Sequence, residues 1–559
     1  MRPHAIASLL SAALSLLSGA PADALSIEAN RMAEVSFTSA KDYADPFNHV
    51  TLDAVFTTPD GRLLRMPAFW AGAGSWRVRY ASPVVGRHTY RTECSDTANA
   101  ALHGVSGEIE VRPYGGDNPL FRHGPARIAD DRRHLAHADG TPFFWLGDTW
   151  WMGLVKRLQW PEDFRALAAD RRDKGFTVVQ FVAGLYPDMP AFDERGLGDG
   201  GLPWESLYAR IRPEYFDAAD RRVEHLLEQG LMPCVLGSWG YHLPWLGVEK
   251  MKQHWRYLIA RWGAWPVVWC AAGEQAMPWY SSGNMPAETE QLRREWTEVI
   301  RFIRGTDPFH RLVTTHPRRN ARDELLDPAL VDFEMQQTGH SRPADQHAAA
   351  ALEAWNRPPW APVISGESRY EGLDVPTSWP KPGEVRGGPI NYLSLRATEA
   401  RQAFWAHLLN SGCAGHTYGA NGVWQVNLPG KRFGNSPGGH DWGGTPWRDA
   451  MNLPGSSQVG RAKEFLLTLP WHRLAPAPNL FAGATSAAAS PDGRCALAYS
   501  MDGTPITADA AKLAQPLTAR WFDPTSGELK DARVAATFNP PGKNEAGGSD
   551  WVLVLEADP

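Results

Sequence analysis

The 559-residue sequence is poor in cysteine, has no block of basic charge, no cofactor signature and no long apolar run in its body. Each shortage excludes something. Its five cysteines, Cys94, Cys234, Cys270, Cys413 and Cys495, are odd in number and widely spaced, with no C-x-x-C pair, so neither a disulfide scaffold nor a thiolate metal site is expected. Cys234 and Cys270 fall in apolar runs that would neighbour each other as strands, which leaves one disulfide open, but buried free thiols are the expectation. A formal charge of −6 without a basic stripe offers no electrostatic footprint for nucleic acid. H-E-x-x-H, P-loop, G-x-S-x-G and EF-hand patterns do not occur. GLGDGG at 196–201 fits G-x-G-x-x-G in form, but LPWE follows it where a dinucleotide site needs a helix. No cofactor is therefore expected.

The one long apolar run is terminal. AIASLLSAALSLLSGA follows Arg2 and His4 and leads to an A-x-A site at Ala22 and Ala24. It is too short and Ser-rich for a membrane span, so residues 1–24 read as a secretory signal and the rest as exported, periplasmic or extracellular, with no membrane span. What the chain has in excess is tryptophan, 25 in all. Indoles fill cores, and their flat faces also cover the C–H faces of sugar rings.

Three rhythms divide the chain. From 25 to 116, short alternating runs such as TLDAVFTTPDGRLL and SWRVRYASPVVGRHTYRTE are separated by turn signals, the pattern of a β-sandwich. From 117 to 470, strand-like runs alternate with helical ones: PFFWLGD, FTVVQFVAG, LMPCVLG, VVWCAAGE, RLVTTHP, VDFEMQQ, PVISGE and GCAGHTYG. Helices framed by Pro and Gly follow, as in PEYFDAADRRVEHLLEQG. Eight strand–helix pairs predict a (β/α)8 TIM barrel, with a doubly wound sheet as the alternative. From 471 to 559 strands and turns return, predicting a second β-sandwich with DPTSG as a hairpin turn.

A barrel of this kind works at the C-terminal ends of its strands. Those ends carry Asp148, Gln180, Trp239 or His242, Glu274, His316, Gln336 or Gln337, Glu367, and His416 with Tyr418. Glu274 ends the fourth run and Glu367 the seventh, opposite each other across the mouth. Glycosidic cleavage needs such a pair, one carboxyl protonated to serve the leaving oxygen and one ionised to attack or stabilise an oxocarbenium-like centre. Capping or a salt bridge explains neither well, since the next helices are expected only near Pro286 and Tyr392. Asp148 has a second reading, in which it locks a loop. His416 also reads as a satisfied core histidine.

PFFWLGDTWW, KGFTVVQ, VVWCAAGE, PVISGESRYEG and GCAGHTYGANGVWQ, in that order, resemble the barrel segments of apiosidase-like glycoside hydrolases over about 117–470. The flanks resemble the N-terminal β-sandwich and the C-terminal collagen-binding-type β-sandwich of the same proteins. The resemblance implies Glu274 as general acid/base and Glu367 as nucleophile of an exported enzyme cleaving a plant or microbial polysaccharide. Two positions depart from the family pattern: Glu274 replaces the Asp of characterised apiosidases, and Gly273 stands where many related retaining barrels have an Asn that contacts the sugar 2-hydroxyl.

The assignment predicts carboxyl groups about 5–5.5 Å apart for a retaining mechanism and about 6.5–9.5 Å for an inverting one. Asp148, Gln180, His416, Tyr418 and Asn421 are the expected hydroxyl ligands, with His316 and Gln336 at neighbouring strand ends. Trp150, Trp239 and Trp424 are the expected stacking platforms, and Tyr370 a hydrogen-bond partner of the nucleophile. The long loops 184–212 and 420–450 are expected to shape the subsites. Two rivals share these residues: a transglycosylase, and a non-catalytic carbohydrate-binding protein, which would have lost or turned away one carboxylate.

Overall fold

The computed structural model describes residues 25–280, 282–376, 392–434 and 442–557. The predicted signal, 1–24, lies outside them. At the centre stands an eight-stranded parallel sheet rolled into a TIM barrel: β1 (Trp145–Thr149), β2 (Val178–Val182), β3 (Met232–Leu236), β4 (Val268–Gly273), β5 (Val313–His316), β6 (Glu334–Gln337), β7 (Val363–Glu367) and β8 (Gly415–Tyr418). The ladder runs β5-β4-β3-β2-β1-β8-β7-β6. Between β5 and β6 the seam is closed by single bonds, with Asp332 N–H donating to Val313 O at 2.8 Å and Thr314 Oγ1 to Phe333 O at 3.2 Å. Helices cover the outside, so the strands are buried on both faces and read as continuous runs such as Met232–Leu236.

The helices are α1 (Glu162–Asp173), α2 (Pro213–Glu228), α3 (Val248–Trp262), α4 (Met285–Thr306), α5 (Ala344–Asn356), α6 (Ala397–Asn410) and α7 (Pro454–Leu467). Glycines do what the sequence pattern asks of them: Gly175 and Gly230, just past α1 and α2, have φ of +79° and +74°, the left-handed stop a side chain resists. Two expectations fail locally. The fifth unit carries only the 3-10 turns Ala321–Glu324 and Pro328–Leu330 in place of a helix. The helix expected near Tyr392 begins at Ala397, because Tyr392–Ser394 pairs as a strand with Asp374–Pro376.

Ahead of the barrel, a five-stranded and a three-stranded sheet share one core with it. Leu52, Ala54 and Phe56 face inward from a strict alternation. Arg79 joins this unit to the barrel: its side chain, 5% exposed, pairs with Asp220 of α2, which also receives Arg261 of α3 at 2.9 Å. Behind the barrel, a six-stranded and a three-stranded sheet enclose a separate core around Trp521, Phe538, Trp551 and Leu553. The DPTSG segment turns where expected, Asp523 accepting from the Thr525 N–H and hydroxyl. Arg401 of α6 pins this unit through Asp550 at 2.7 Å. All five cysteines are buried and free, including the neighbours Cys234 and Cys270. Among the described residues, no helix is long and apolar enough to cross a membrane.

Candidate active site

Glu274 is the first residue past β4, in a left-handed conformation with φ +43° that a glutamate adopts at a cost of about 1–3 kcal/mol. The surroundings enforce it. Gly273 lies against the Trp239 indole, so that a Cβ there would stand 2.1 Å from Trp239 Cε3. The loop beyond is fastened to the turn after β5, with Glu324 accepting from the Ala276 N–H at 2.6 Å and its carbonyl accepting from Gln275 Nε2 at 3.0 Å. The Trp239 indole N–H donates to Glu274 Oε2 at 3.3 Å.

Glu367 ends β7, and a bulge puts it in place. The β6–β7 register runs Gln336 to Ser365 and then Gln337 to Glu367, leaving Gly366 unpaired. Gly366 has no room for a side chain, since a Cβ would lie 2.5 Å from Met335 Cγ. The slip aims Gln337 into the mouth beside Glu367. There the Gln337 amide donates to Glu367 Oε1 at 2.6 Å and to Glu274 Oε1 at 3.1 Å. One nitrogen within reach of both limits the gap between these oxygens to at most about 5.7 Å, the two distances laid end to end. Tyr370 donates to Glu367 Oε2 at 2.9 Å. His340 Nε2 lies 3.1 Å from Oε1 and His316 Nε2 3.3 Å from Oε2.

These surroundings drive the two carboxyls apart. Burial raises Glu274 above the ordinary carboxylate range, and the charge of Glu367 raises it further, against the donors Gln337 and Trp239. Burial alone would do the same to Glu367, but the imidazoles of His316 and His340 close beside it win, holding it well below that range. The pair is thus divided into one carboxyl raised and one carboxylate lowered.

Both open on a cleft of about 450 Å³. The loops after seven strands wall it: Trp151 after β1, Asp188 after β2, Trp239 after β3, Tyr280 after β4, His340 after β6, Tyr370 after β7, and Trp424 and Trp442 after β8. His316 of β5 packs behind, its ring edge-on to Trp151 at 5.0 Å between centroids. Of the residues expected from sequence, Glu274, Glu367, Trp239, His316, Tyr370 and Trp424 converge here. Asp188 from 184–212 and Trp424 and Trp442 from 420–450 show both long loops contributing; residues 435–441 lie outside the described segments.

The other expected ligands do not reach the cleft. Asp148 is fully buried, its Oδ2 spent on the side chains of Trp150 and of Arg171 in α1, each at 2.6 Å. Trp150 is thereby turned inward against Phe164, and its neighbour Trp151 faces the cleft instead. Gln180 lies inside the barrel, donating to Thr149 Oγ1 and Gly366 O. Gln336 points the opposite way from Gln337, bonded to Asn320, Ala350 O and His407. His416 is a core histidine 3.3 Å from Ser368 Oγ, held neutral by burial and by His407. Tyr418 donates to buried Glu371 at 2.6 Å, and Asn421 to Trp442 O at 2.5 Å, bracing the loop. The sequence reading misses Trp151, Asp188, Tyr280, His340 and Trp442, and names Gln337 only as the alternative to Gln336. Only Gln337 and Trp151 carried a signal, as immediate neighbours of residues already chosen.

The model of the apiosidase-like catalytic domain matches residues 129–473. A domain of unknown function, DUF5060, matches 26–95, and the model named for a collagenase's collagen-binding domain matches 481–556. No curated protein matches the chain in sequence. In structure it resembles a glycoside hydrolase family 5 protein from Bacteroides vulgatus ATCC 8482, at 22% identity and TM-score 0.60, covering 79% of this chain and 94% of that one. It also resembles a second protein of that organism described as a glycoside hydrolase, at 17% identity and TM-score 0.64, covering 95% and 99%. Identities this low speak for a shared fold.

Proposed function

The chain belongs to the apiosidase-like family, and on that premise we propose that it is an exported, retaining glycoside hydrolase of a plant or microbial polysaccharide. The observation that carries the reading is Gln337 holding Glu274 and Glu367 together: oxygens no more than about 5.7 Å apart suit the retaining separation of about 5–5.5 Å better than the inverting one of about 6.5–9.5 Å. The two environments supply the division of labour, a carboxyl raised and a carboxylate lowered.

In this reading Glu274, protonated, gives its proton to the glycosidic oxygen as the C–O bond breaks. Glu367 attacks the anomeric carbon from the other face and forms a glycosyl ester. Glu274, now ionised, takes a proton from a water molecule, whose oxygen displaces Glu367; the sugar leaves with its configuration retained, and both carboxyls return to their starting state. The donors on Glu367 hold it ionised and oriented, while Trp239 keeps Glu274 facing the cleft. Trp151, Trp239, Trp424 and Trp442 line the space a sugar would fill. A non-catalytic binding protein would have no need of two carboxylates in such contrasting surroundings.

The test is a panel of aryl glycosides and polysaccharides, with Glu367→Ala as control and the first-formed anomer read by NMR. Release by wild type alone, with retained configuration, is expected. Equal release by the variant would remove Glu367 from the mechanism, and an inverted product would remove the retaining assignment.

A further inference from the structure

Where the fifth unit lacks its helix, the flank of the barrel holds a groove of about 470 Å³, walled by α4, by the segment joining β5 to β6 and by the turn after α5. Four arginines line it, Arg293 of α4, Arg318 and Arg322 of the joining segment and Arg357 past α5, against two carboxylates, Glu290 and Asp323. Arg322, 5% exposed, donates to Glu334 at 2.5 Å and to Pro359 O at 2.9 Å, yet its Nη2 has no acceptor among the described residues. Arg357 meets Asp323 through Nη1, at 2.7 Å, and Arg318 approaches Glu324 through Nε, at 3.5 Å. Glu324 is already engaged by the Ala276 N–H. The Arg318 and Arg357 side chains are 40% and 36% exposed, so their remaining nitrogens are open to a ligand. Three residues past Arg357 stands Trp360, the only described tryptophan that is exposed, at 57%. It is rigidly held: Arg132 Nε donates to its carbonyl at 2.8 Å, and the Arg133 guanidinium lies between the Trp355 and Trp360 rings, 3.8 and 4.3 Å from their centroids. That staple uses one face of the Trp360 indole and leaves more than half of the residue in solvent.

We propose that this groove is a second, non-catalytic saccharide site, for a chain whose sugar rings carry carboxylates: a uronate carboxylate against Arg318 and Arg357, and a ring face against Trp360. The chemistry selects the ligand. Guanidinium forks match the paired oxygens of a carboxylate, and an indole covers the C–H face of a sugar ring. An inorganic anion would use the arginines and have no need of the indole; a neutral sugar would use the indole and have no need of the arginines. A sugar acid uses both. Ion pairing alone is a poor reason to gather four arginines here, because exposed pairs stabilise a fold little. The platform is also set in advance, since Arg132 and Arg133 fix Trp360 before any ligand arrives, which lowers the ordering cost of binding. No residue of the groove lines the cleft of Glu274 and Glu367, so the inference does not rest on the proposed reaction.

The measurement is titration calorimetry of the full chain carrying Glu367→Ala, so that no probe is consumed. The probes are oligogalacturonate, oligomannuronate, fully methyl-esterified oligogalacturonate, which keeps the ring and loses the charge, and inorganic phosphate. At least one of the two uronate oligomers should bind. Adding Arg318→Ala should raise its Kd by about 10- to 100-fold, the loss of a hydrogen bond between charged groups. Adding Trp360→Ala should raise it by about 3- to 10-fold, the loss of one stacked face. Both side chains are exposed, so the melting temperature should hold, and each variant tests the site by itself. The esterified oligomer should bind more weakly than the free acid. Uronate affinity unchanged in both variants would place that binding in the cleft and overturn the proposal, as would equal affinity for the esterified oligomer. Phosphate binding that Arg318→Ala abolishes, with no uronate binding, would make the groove a simple anion site and overturn the saccharide assignment; no binding of any probe would overturn it outright.

Discussion

Replacing Gln337 by Leu keeps the bulk of the side chain and deletes the N–H group that reaches both carboxyls. Each bond to a charged acceptor contributes about 1.5–3 kcal/mol. The deficit in Glu367 is softened by Tyr370, His316 and His340, which remain. One such bond lost from the aligned pair corresponds to a fall in kcat/KM of about 10- to 100-fold. The pH profile gives a sharper signature. Gln337 favours the ionised form of Glu274, so its loss raises that group further and carries the alkaline limb to higher pH. Glu367 is stabilised when ionised by the same amide, so its proton is also lost later and the acidic limb rises too. The whole bell should slide toward alkaline pH rather than narrow or widen. Initial rates on an aryl glycoside across the pH range read this directly. A variant with unchanged kcat/KM and both limbs in place would show that the amide spans two carboxyls without influencing either, and the spacing argument for retention would lose its physical basis.

Three further outcomes follow from the same geometry. Glu274→Ala should lower kcat/KM by about 10²–10⁴-fold on substrates with poor leaving groups and far less on strongly activated aryl leaving groups, which depart without a proton; a uniform loss across a leaving-group series would contradict an acid role. Gly273→Asn drives a side chain into Trp239 and should cost about 1–3 kcal/mol, read as a lowered unfolding midpoint; unchanged stability would mean that the indole moves freely. Asp220→Ala leaves Arg79 and Arg261 buried without their common partner, at a cost of about 3–5 kcal/mol, measured in the first unfolding transition by calorimetry; an unshifted transition would show that the N-terminal sandwich does not depend on this pair.

The barrel was legible because parallel βα units advertise themselves: buried strands are apolar throughout and helices end on glycine, as at Gly175 and Gly230. The strands that matter were legible for the same reason. Which side chain at a strand end faces the mouth was not, because a strand buried on both faces lacks the polar alternation that fixes orientation elsewhere. Asp148, Gln180, His416 and Tyr418 sit at strand ends yet lie beneath or behind the cleft. Nothing in the sequence separates Gln336 from Gln337, because the bulge at Gly366, a one-residue slip that turns the adjacent side chain inward, shows only in the folded strand pair. Trp150 and Trp151 differ by the same single step. Asp188, His340, Tyr280 and Trp442 come from loops, where no period operates and only the folded chain brings them together.

The two departures from the family pattern have a common physical origin. Trp239 covers Gly273 so closely that any side chain there is displaced, which excludes the Asn of related retaining barrels on packing grounds alone. The same indole turns its N–H to Glu274 Oε2. An aromatic donor from the loop after β3 thus fills the space beside Gly273 and addresses Glu274. Glu274, in turn, leaves β4 with a left-handed backbone, and it is the longer side chain, reaching from that turned position, that meets both the Trp239 indole and the Gln337 amide. Gly273, Trp239 and Glu274 therefore form one unit. Shortening Glu274 to Asp would withdraw the carboxyl by one methylene from two donors placed for the longer chain.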